Sequence, residues 1–214
     1  MKDYEAKIKL SLIQYLLRTD KYNSIIATEV PINQTQNIVD VLQISTTVSS
    51  AFEIKSDRDN FSRLDKQIQS YSSVFNYVSV VISENNYKAV LPLIPKKIGI
   101  MLIKESDIIV KRKPSEIKKL SKDALAKIIW KNNLLKIMSS KFTTHQLKGL
   151  SDYELRKLLI KYYNLKEIRS FAYDFLMQKY SSSFINFKNN LGAQIHEDDL
   201  VELGIQNTNF KNIV

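Results

Sequence analysis

The sequence contains no cysteine and only two histidines, His145 and His196, among its 214 residues. The lack of cysteine excludes a disulfide scaffold, a thiolate metal site and a cysteine nucleophile. Two histidines cannot supply a metal centre that needs three or more imidazole ligands from one chain. Four glycines and four prolines are also too few for a collagen-like or turn-dense all-β protein. The composition therefore favours an ordinary globular fold whose polar chemistry depends on carboxylates, hydroxyls, amides and amines.

Long hydrophobic runs are missing as well. No apolar run approaches the roughly 18 residues that a membrane-spanning helix needs. Asp3 and Glu5 stand where a secretory signal would carry basic and then apolar residues. We therefore expect a cytoplasmic protein with no membrane partner.

The positive charge is unevenly distributed along the chain. Residues 1–95 hold ten basic and ten acidic side chains, so their balance is zero. Residues 96–214 hold 22 basic and 12 acidic side chains and account for the whole formal charge of +10. A basic half favours a polyanionic partner, with nucleic acid ahead of anionic lipid. DNA is the nucleic acid that we expect, and RNA stays open. The alternative is compositional, because lysine outnumbers arginine 26 to 6, as AT-rich coding often produces.

Hydrophobic periodicity predicts an α/β first half and an all-helical second half. The expected order is helix, three strands, helix and three strands, at residues 4–18, 24–30, 37–44, 51–55, 61–75, 77–83, 88–93 and 98–103. Helices are then expected at 115–121, 123–138, 143–150, 151–163 and 165–180, with a short one near 198–203. The change of pattern predicts two domains, 1–112 and 113–214.

Two acids interrupt neighbouring apolar strands of the first half. Asp40 lies in the second predicted strand and Glu53 in the third. An unpaired carboxylate there is destabilising unless it is compensated, and a divalent cation compensates it efficiently. If the two strands pair through Thr46 and Thr47, opposing residue numbers sum to 93, and Asp40 lies opposite Glu53. The simpler interpretation places Asp40 at a strand edge and Glu53 on a solvated strand face.

The order of Asp40, Glu53 and Lys55 before a helix resembles the PD-(D/E)XK nuclease superfamily. Glu53 and Lys55 point the same way because side chains alternate along a strand. The similarity to the RecB-like branch rests on the segments Glu53-Ile-Lys-Ser-Asp57, Arg63-Leu64 and Gln67-Ile-Gln-Ser-Tyr71. The whole chain is also similar to a family of small bacterial and phage proteins assigned to this superfamily. That similarity includes Ile94–Ile100 and the pair Ile129-Trp130.

The resemblance implies a restriction-endonuclease-like core, in which a mixed sheet is flanked by helices, followed by the all-helical domain. It also implies a Mg²⁺-dependent nuclease that hydrolyses phosphodiester bonds, with Mn²⁺ as a substitute metal. The implied metal ligands are Asp40, Glu53, the Ile54 carbonyl and, as outer ligands, Glu29 and Glu5. Lys55 would orient the attacking water or stabilise charge on phosphorus, while Gln67 and Tyr71 would hold phosphate or water beside it.

The predicted nucleic-acid contacts are basic residues near the site and at the start of the basic half: Arg58, Arg63, Lys111, Arg112 and Lys113. Structural alternatives stay open for two of the site residues. Tyr71 also fits the apolar stripe of its helix, and Glu5 fits a solvated acid in a first helical turn. The alternative functions are a non-catalytic nucleic-acid-binding or regulatory protein on the same scaffold, and an interaction protein that binds no nucleic acid.

Overall fold

The computed structural model describes residues 2–32, 37–57, 59–192 and 195–204, with side chains from Glu5 onward. Within these residues, six strands form a mixed sheet in the order β1-β2-β3-β4-β5-β6. The strands are β1 (Ile25–Pro31), β2 (Ile38–Ile44), β3 (Ser49–Lys55), β4 (Tyr77–Ser83), β5 (Gly99–Lys104) and β6 (Asp107–Arg112). The helices are α1 (Lys2–Thr19), α2 (Leu64–Ser72), α3 (Tyr87–Val90), α4 (Lys122–Ile128), α5 (Lys131–Met138), α6 (Thr144–Leu147), α7 (Asp152–Tyr162), α8 (Leu165–Asn190) and α9 (Leu200–Gly204).

The centre of the sheet is parallel and its two sides are antiparallel. Strands β3, β4 and β5 run parallel, so each step between them needs a crossover, which α2 and then α3 provide. Strands β1, β2 and β3 form an antiparallel meander. The predicted hairpin is confirmed: Val41 pairs with Phe52 and Ile44 pairs with Ser49, so opposing numbers sum to 93. The turn is closed by the Ser45 N–H, which donates to the Val48 carbonyl at 2.8 Å.

A hydrophobic cluster lies on each face of the sheet. On one face, Ile8 and Leu12 of α1 pack with Phe52 of β3, and with Phe187 and Leu203 near the end of the chain. The cluster on the other face joins sheet residues to α2 and to the C-terminal helices: Ala51, Val80, Ile100, Ile68, Leu125, Leu155 and Tyr173. The helical half therefore packs directly on the sheet. The predicted division at residues 112 and 113 stays a prediction.

The strand predicted at 88–93 is wrong. The chain forms α3 there, and a 3₁₀ turn over Leu91–Leu93 that contains Pro92. These residues belong to the crossover between two parallel strands, which favours a compact helical connection over another strand. Strand β6 was not predicted. It pairs only with β5 among the described strands, and its side chains alternate between exposed and half-buried.

The helix predicted at 115–121 is wrong as well. This segment is extended and its backbone bonds to the first half of the chain. The N–H groups of Ser115, Ile117 and Ser121 donate to the carbonyls of Lys97, Asn76 and Ser73 at 2.8–2.9 Å. These tertiary hydrogen bonds replace the local ones that a helix would make.

The helix predicted at 123–138 is two helices, α4 and α5, because the backbone is extended at Ile129 and Trp130. The Trp130 ring is partly buried and packs against Phe175 with ring centroids 5.5 Å apart, so this residue contributes to the core. Helix α8 continues ten residues past its predicted end at Tyr180. Helix α7 begins with a capping box formed by Ser151 and Glu154. No helix in the described parts of the chain has both the length and the apolar character needed to cross a membrane.

Candidate functional site

Glu53, Lys55 and Tyr71 form a buried hydrogen-bonded group between β3 and α2. The Glu53 side chain is 1% exposed, and its Oε1 accepts a bond from Lys55 Nζ at 2.6 Å. The oxygen of the Tyr71 hydroxyl lies 2.6 Å from Glu53 Oε2 and 2.6 Å from the Ile38 carbonyl oxygen. A hydroxyl carries one proton, so Tyr71 donates to one of these two acceptors at a time. The group holds the Lys55 amine in a fixed place beside a carboxylate.

The phenol of Tyr71 is held in its protonated form. Burial, followed by the negative charge of Glu53, raises the pKa of Tyr71 well above its ordinary value. The residue is also fully buried in the cluster around α2. Tyr71 is thus both a core residue and a hydrogen-bond donor in the site, so the two interpretations of this residue are compatible.

Asp40 lies between this group and a second set of acids. Its Oδ2 accepts a 2.6 Å bond from the Ile54 N–H, which stands between Glu53 and Lys55 on β3. Burial and then the Glu53 charge raise the pKa of Asp40 well above its ordinary value of 3.8, although the Ile54 bond acts in the opposite direction. Ionised Asp40 is therefore costly in the folded chain without a cation.

Three carboxylates from three elements meet beside Asp40. Oxygen atoms of Glu5 on α1, Glu29 on β1 and Asp40 on β2 all lie within 4.8 Å of one another. The side chains of Glu5 and Glu29 are 47% and 51% exposed, so the cluster is accessible from solvent. Glu53 is not part of this group, although the resemblance implies that it shares a metal with Asp40. The structure thus brings together three of the four predicted carboxylate ligands and places the fourth, Glu53, in the neighbouring group.

Glu29 has a strained backbone. Its φ of 52° lies in the left-handed region, which non-glycine residues rarely adopt within a strand. The residues on either side pair normally, Thr28 with Val41 and Val30 with Val39. Glu29 is therefore a local irregularity opposite Asp40. Strain of this kind costs on the order of 1–3 kcal/mol and concentrates at functional sites.

Lys9 of α1 is a site residue that the sequence prediction missed. Its ammonium donates to Glu29 Oε1 and lies 3.8 Å from Glu5 Oε1. Its charge also lowers the pKa of Asp40, against the raising effect of burial. The spacing of Glu5 and Lys9 is the i, i+4 spacing of a helical ion pair, which was the available sequence signal. The link from Lys9 to Glu29, twenty residues away, has no sequence signal.

Gln67 lies on the same face of α2 as Tyr71, one turn before it, and its side chain lowers the pKa of Tyr71 against the larger effect of burial. Its Oε1 is buried and has no hydrogen-bond partner among the described residues. A buried amide oxygen without a donor is uncommon, because an unmade hydrogen bond in the interior is costly. The atom is available to a water molecule or to another donor that enters the site.

The predicted nucleic-acid contacts have different surroundings. Arg63, Lys111 and Lys113 are exposed. The Arg112 guanidinium donates to the carbonyls of Ile94, Pro95 and Ile98, so it is committed to holding this loop. Arg58 lies outside the described residues. Contact between any of these side chains and nucleic acid stays a prediction.

A cavity of about 630 Å³ adjoins the three carboxylates. Its lining comes from α1, β1 and the end of the chain: Glu5, Ala6, Lys9, Thr28, Glu29, Glu197, Leu200, Val201 and Gly204. Leu200, Val201 and Gly204 line it because α9 packs on β1, and Leu203 of α9 is fully buried. Glu197 lies in the 3₁₀ turn just before α9. The sequence prediction placed a helix here but did not connect it with the site.

The chain matches a known protein family over most of its length. The family model described as Bacteriophage P4 protein cII matches residues 1–204, so the chain belongs to this family. A comparison with curated proteins gives no match. Among solved structures, the chain is similar to the SPO1766 protein of unknown function from Silicibacter pomeroyi, at 17% identity and a TM-score of 0.44. That alignment covers 75% of this chain and 95% of the other.

Proposed function

We propose that this protein is a metal-dependent nuclease that hydrolyses phosphodiester bonds of DNA, on a PD-(D/E)XK-like core formed by α1, β1–β3, α2 and β4. The observation that carries the proposal is the position of Asp40. Its carboxylate lies within 4.8 Å of Glu5 and Glu29, and it also binds the backbone between Glu53 and Lys55. Asp40 thus lies between a cluster of carboxylate oxygens and the buried amine of Lys55. The resemblance implies both of these parts of a nuclease site.

The donor set fits a hard divalent cation. Mg²⁺ and Mn²⁺ prefer carboxylate and carbonyl oxygen, and the nearby side-chain donors are carboxylates. Asp40, Glu29 and Glu5 would hold the ion, with Glu53 and the Ile54 carbonyl as the further ligands that the resemblance implies. The raised pKa of Asp40 agrees with this assignment, because a cation would compensate the buried charge. A bound Mg²⁺ supplies Lewis-acid polarisation of the phosphodiester and lowers the pKa of a bound water.

The protein's own side chains would orient the attacking water and supply positive charge to the phosphate. Lys55 presents an ammonium that Glu53 holds in place, and it would donate to the attacking water or to a phosphate oxygen. The Tyr71 hydroxyl lies 2.6 Å from the other oxygen of Glu53 and, when it donates there, helps to hold the carboxylate beside Lys55. The Oε1 of Gln67, which has no partner in the described residues, would accept a hydrogen bond from the water and orient it. The net charge of +10 favours DNA or RNA over a neutral substrate.

The direct test is cleavage of supercoiled and linear DNA, with RNA in parallel, by purified protein with Mg²⁺ or Mn²⁺. Asp40→Asn keeps the shape and an acceptor for the Ile54 N–H but removes the charge, so we expect at least a hundredfold loss of cleavage. Asp107→Asn, at the exposed start of β6, is the matched control and should retain full activity. Equal cleavage by wild type and Asp40→Asn would attribute the activity to a contaminant and reject the proposal.

Lys55→Met tests the amine separately. It should abolish cleavage, whereas Lys104→Met at the exposed end of β5 should not. Because Lys55→Met leaves the Glu53 charge buried without its partner, circular dichroism must accompany the assay. Asp40→Asn then remains the decisive variant if Lys55→Met fails to fold.

A second candidate is a non-catalytic nucleic-acid-binding protein on the same scaffold. The observation in its favour is that both oxygens of Glu53 already accept bonds from side chains of the chain itself. This candidate predicts DNA binding that weakens with salt, needs no divalent cation and is unchanged in Asp40→Asn. Metal-dependent cleavage would reject it.

A further inference from the structure

Lys9 places its ammonium beside the three carboxylates of Glu5, Glu29 and Asp40. Its side chain is 13% exposed and points from α1 across to β1. The ammonium is bonded to Glu29, lies 3.8 Å from Glu5 and affects the pKa of Asp40. A single amine therefore interacts with the whole cluster.

The formal charges indicate how the Lys9 amine affects the binding of a divalent cation. Glu5, Glu29 and Asp40 carry three negative charges when ionised, and Lys9 carries one positive charge, which leaves a net charge of −2. One divalent cation neutralises that charge if Lys9 stays nearby. The same cation cannot share the Glu29 oxygen that Lys9 now holds without displacing the ammonium, since two cations at one oxygen repel each other.

We propose that Lys9 is a positioning residue that competes with the divalent cation for Glu29 and, once displaced, donates to a phosphate oxygen of the substrate. The inference rests on the proposed function. A lysine suits this role because its ammonium lies at the end of a flexible four-carbon chain and can change partners without movement of the helix. Next to the displaced amine is the 630 Å³ cavity, which opens the site to solvent.

The two parts of the proposal predict effects of opposite sign. Removal of the amine removes the competitor, so Lys9→Met should bind the cation more tightly than wild type, roughly fivefold, the worth of a partly exposed ion pair. Removal of the amine also removes a phosphate donor, so the same variant should bind DNA more weakly in the presence of the cation, by about tenfold.

The first experiment is calorimetric titration of Mn²⁺ into wild type, Lys9→Met and Lys7→Met. Lys7 is exposed on the same helix, so Lys7→Met makes the same change in charge and should leave the affinity near that of wild type. Tighter binding by Lys9→Met alone supports the proposal. Equal or weaker binding by Lys9→Met, with Mn²⁺ bound by wild type, overturns it while the metal site stands. Absence of Mn²⁺ binding in all three proteins overturns both the metal site and this inference.

The second experiment measures the affinity of a short DNA duplex in Ca²⁺, by fluorescence anisotropy, for the same three proteins. Weaker binding by Lys9→Met than by Lys7→Met supports the phosphate contact, and recovery in Lys9→Arg supports it further. Equal DNA affinity for Lys9→Met and Lys7→Met overturns that contact. If Lys9→Met folds poorly, Lys9→Gln repeats both measurements with a polar side chain of similar length.

Discussion

Asp40 is destabilising for the folded chain when it is ionised. Burial and the Glu53 charge both raise its pKa, and only the Ile54 hydrogen bond and Lys9 act against them. A carboxyl group whose pKa rises on folding stabilises the native state below its ordinary pKa. That contribution is lost as the pH rises through the raised value. At neutral pH the folded chain therefore carries a cost at this residue that a bound cation would remove.

Asp40→Asn should therefore stabilise the metal-free protein at neutral pH. We expect a gain on the order of 1 kcal/mol at pH 7, or about 3 °C in the melting temperature. The gain in stability should disappear as the pH falls through the raised pKa of Asp40 towards the ordinary value of 3.8. At that pH the aspartic acid is protonated and is therefore as neutral as the asparagine that replaces it. Melting curves between pH 4 and pH 8 measure this, with Asp107→Asn as control. A variant less stable than wild type at pH 7 would show that Asp40 is satisfied without a cation.

The sequence was informative about Asp40 and Glu53 because acids are rare within apolar strands. The register that sums to 93 could be derived from the turn at Thr46 and Thr47, and the structure confirms it. The left-handed backbone of Glu29 and its bond to Lys9 could not be derived. Both depend on how α1 lies against β1, which is a tertiary relation with no local periodicity.

At the scale of elements, Tyr173 of α8 fastens the helical half to the sheet. Its hydroxyl accepts a 2.6 Å bond from Ser49 of β3 and lies 3.0 Å from the Val74 carbonyl oxygen. It also lies 3.2 Å from Asn76 Oδ1. Burial raises the pKa of Tyr173 to about 12, so the hydroxyl stays protonated at physiological pH. One side chain thus connects residues that are far apart in the sequence.

Tyr173→Phe should lower the free energy of unfolding by about 1–2 kcal/mol, because it leaves buried polar partners without a hydrogen bond. Tyr153→Phe, on the exposed face of α7, is the matched control and should have almost no effect. Urea denaturation measures both. A loss below the error of the control would mean that Ser49 and Asn76 satisfy each other, for which they are already 3.3 Å apart.

Elements with a strong local pattern were predicted well, and elements defined by tertiary contacts were not. Strand β4 was predicted at its observed bounds, Tyr77–Ser83, because it is β-branched and almost wholly buried. The segment 115–121 has a helical composition, yet its backbone bonds to Lys97, Asn76 and Ser73. Local propensity is weak compared with such long-range bonds, so the sequence pattern could not reveal the extended conformation.

At the scale of the whole molecule, the two halves share a hydrophobic cluster. Leu125, Leu155 and Tyr173 of the helical half pack with Val80 and Ile100 of the sheet. A fragment that lacks the helical half would expose this face of the sheet to water. Burial of apolar surface is the dominant favourable contribution to folding, so such a fragment would lose much of its stability.

We therefore expect one cooperative unfolding transition for the full chain and none for a fragment of residues 1–112. Residues 1–204, which retain every described residue, are the control and should melt like the full chain. Calorimetry and amide hydrogen exchange measure the outcome. A cooperative transition in the 1–112 fragment would instead establish the two independent domains that the composition suggests.

The cavity beside the three carboxylates has walls from both ends of the described chain, Glu5 and Lys9 at one end and Leu200 and Gly204 at the other. A ribosome adds about 5–20 residues per second, so some 10–40 s separate the synthesis of the first wall from that of the last. Throughout that interval the residues from 197 to 204, which form the other wall of the cavity beside the acids of α1 and β1, have not yet been synthesised. A nascent polypeptide therefore cannot hold the finished cavity until translation has passed Gly204.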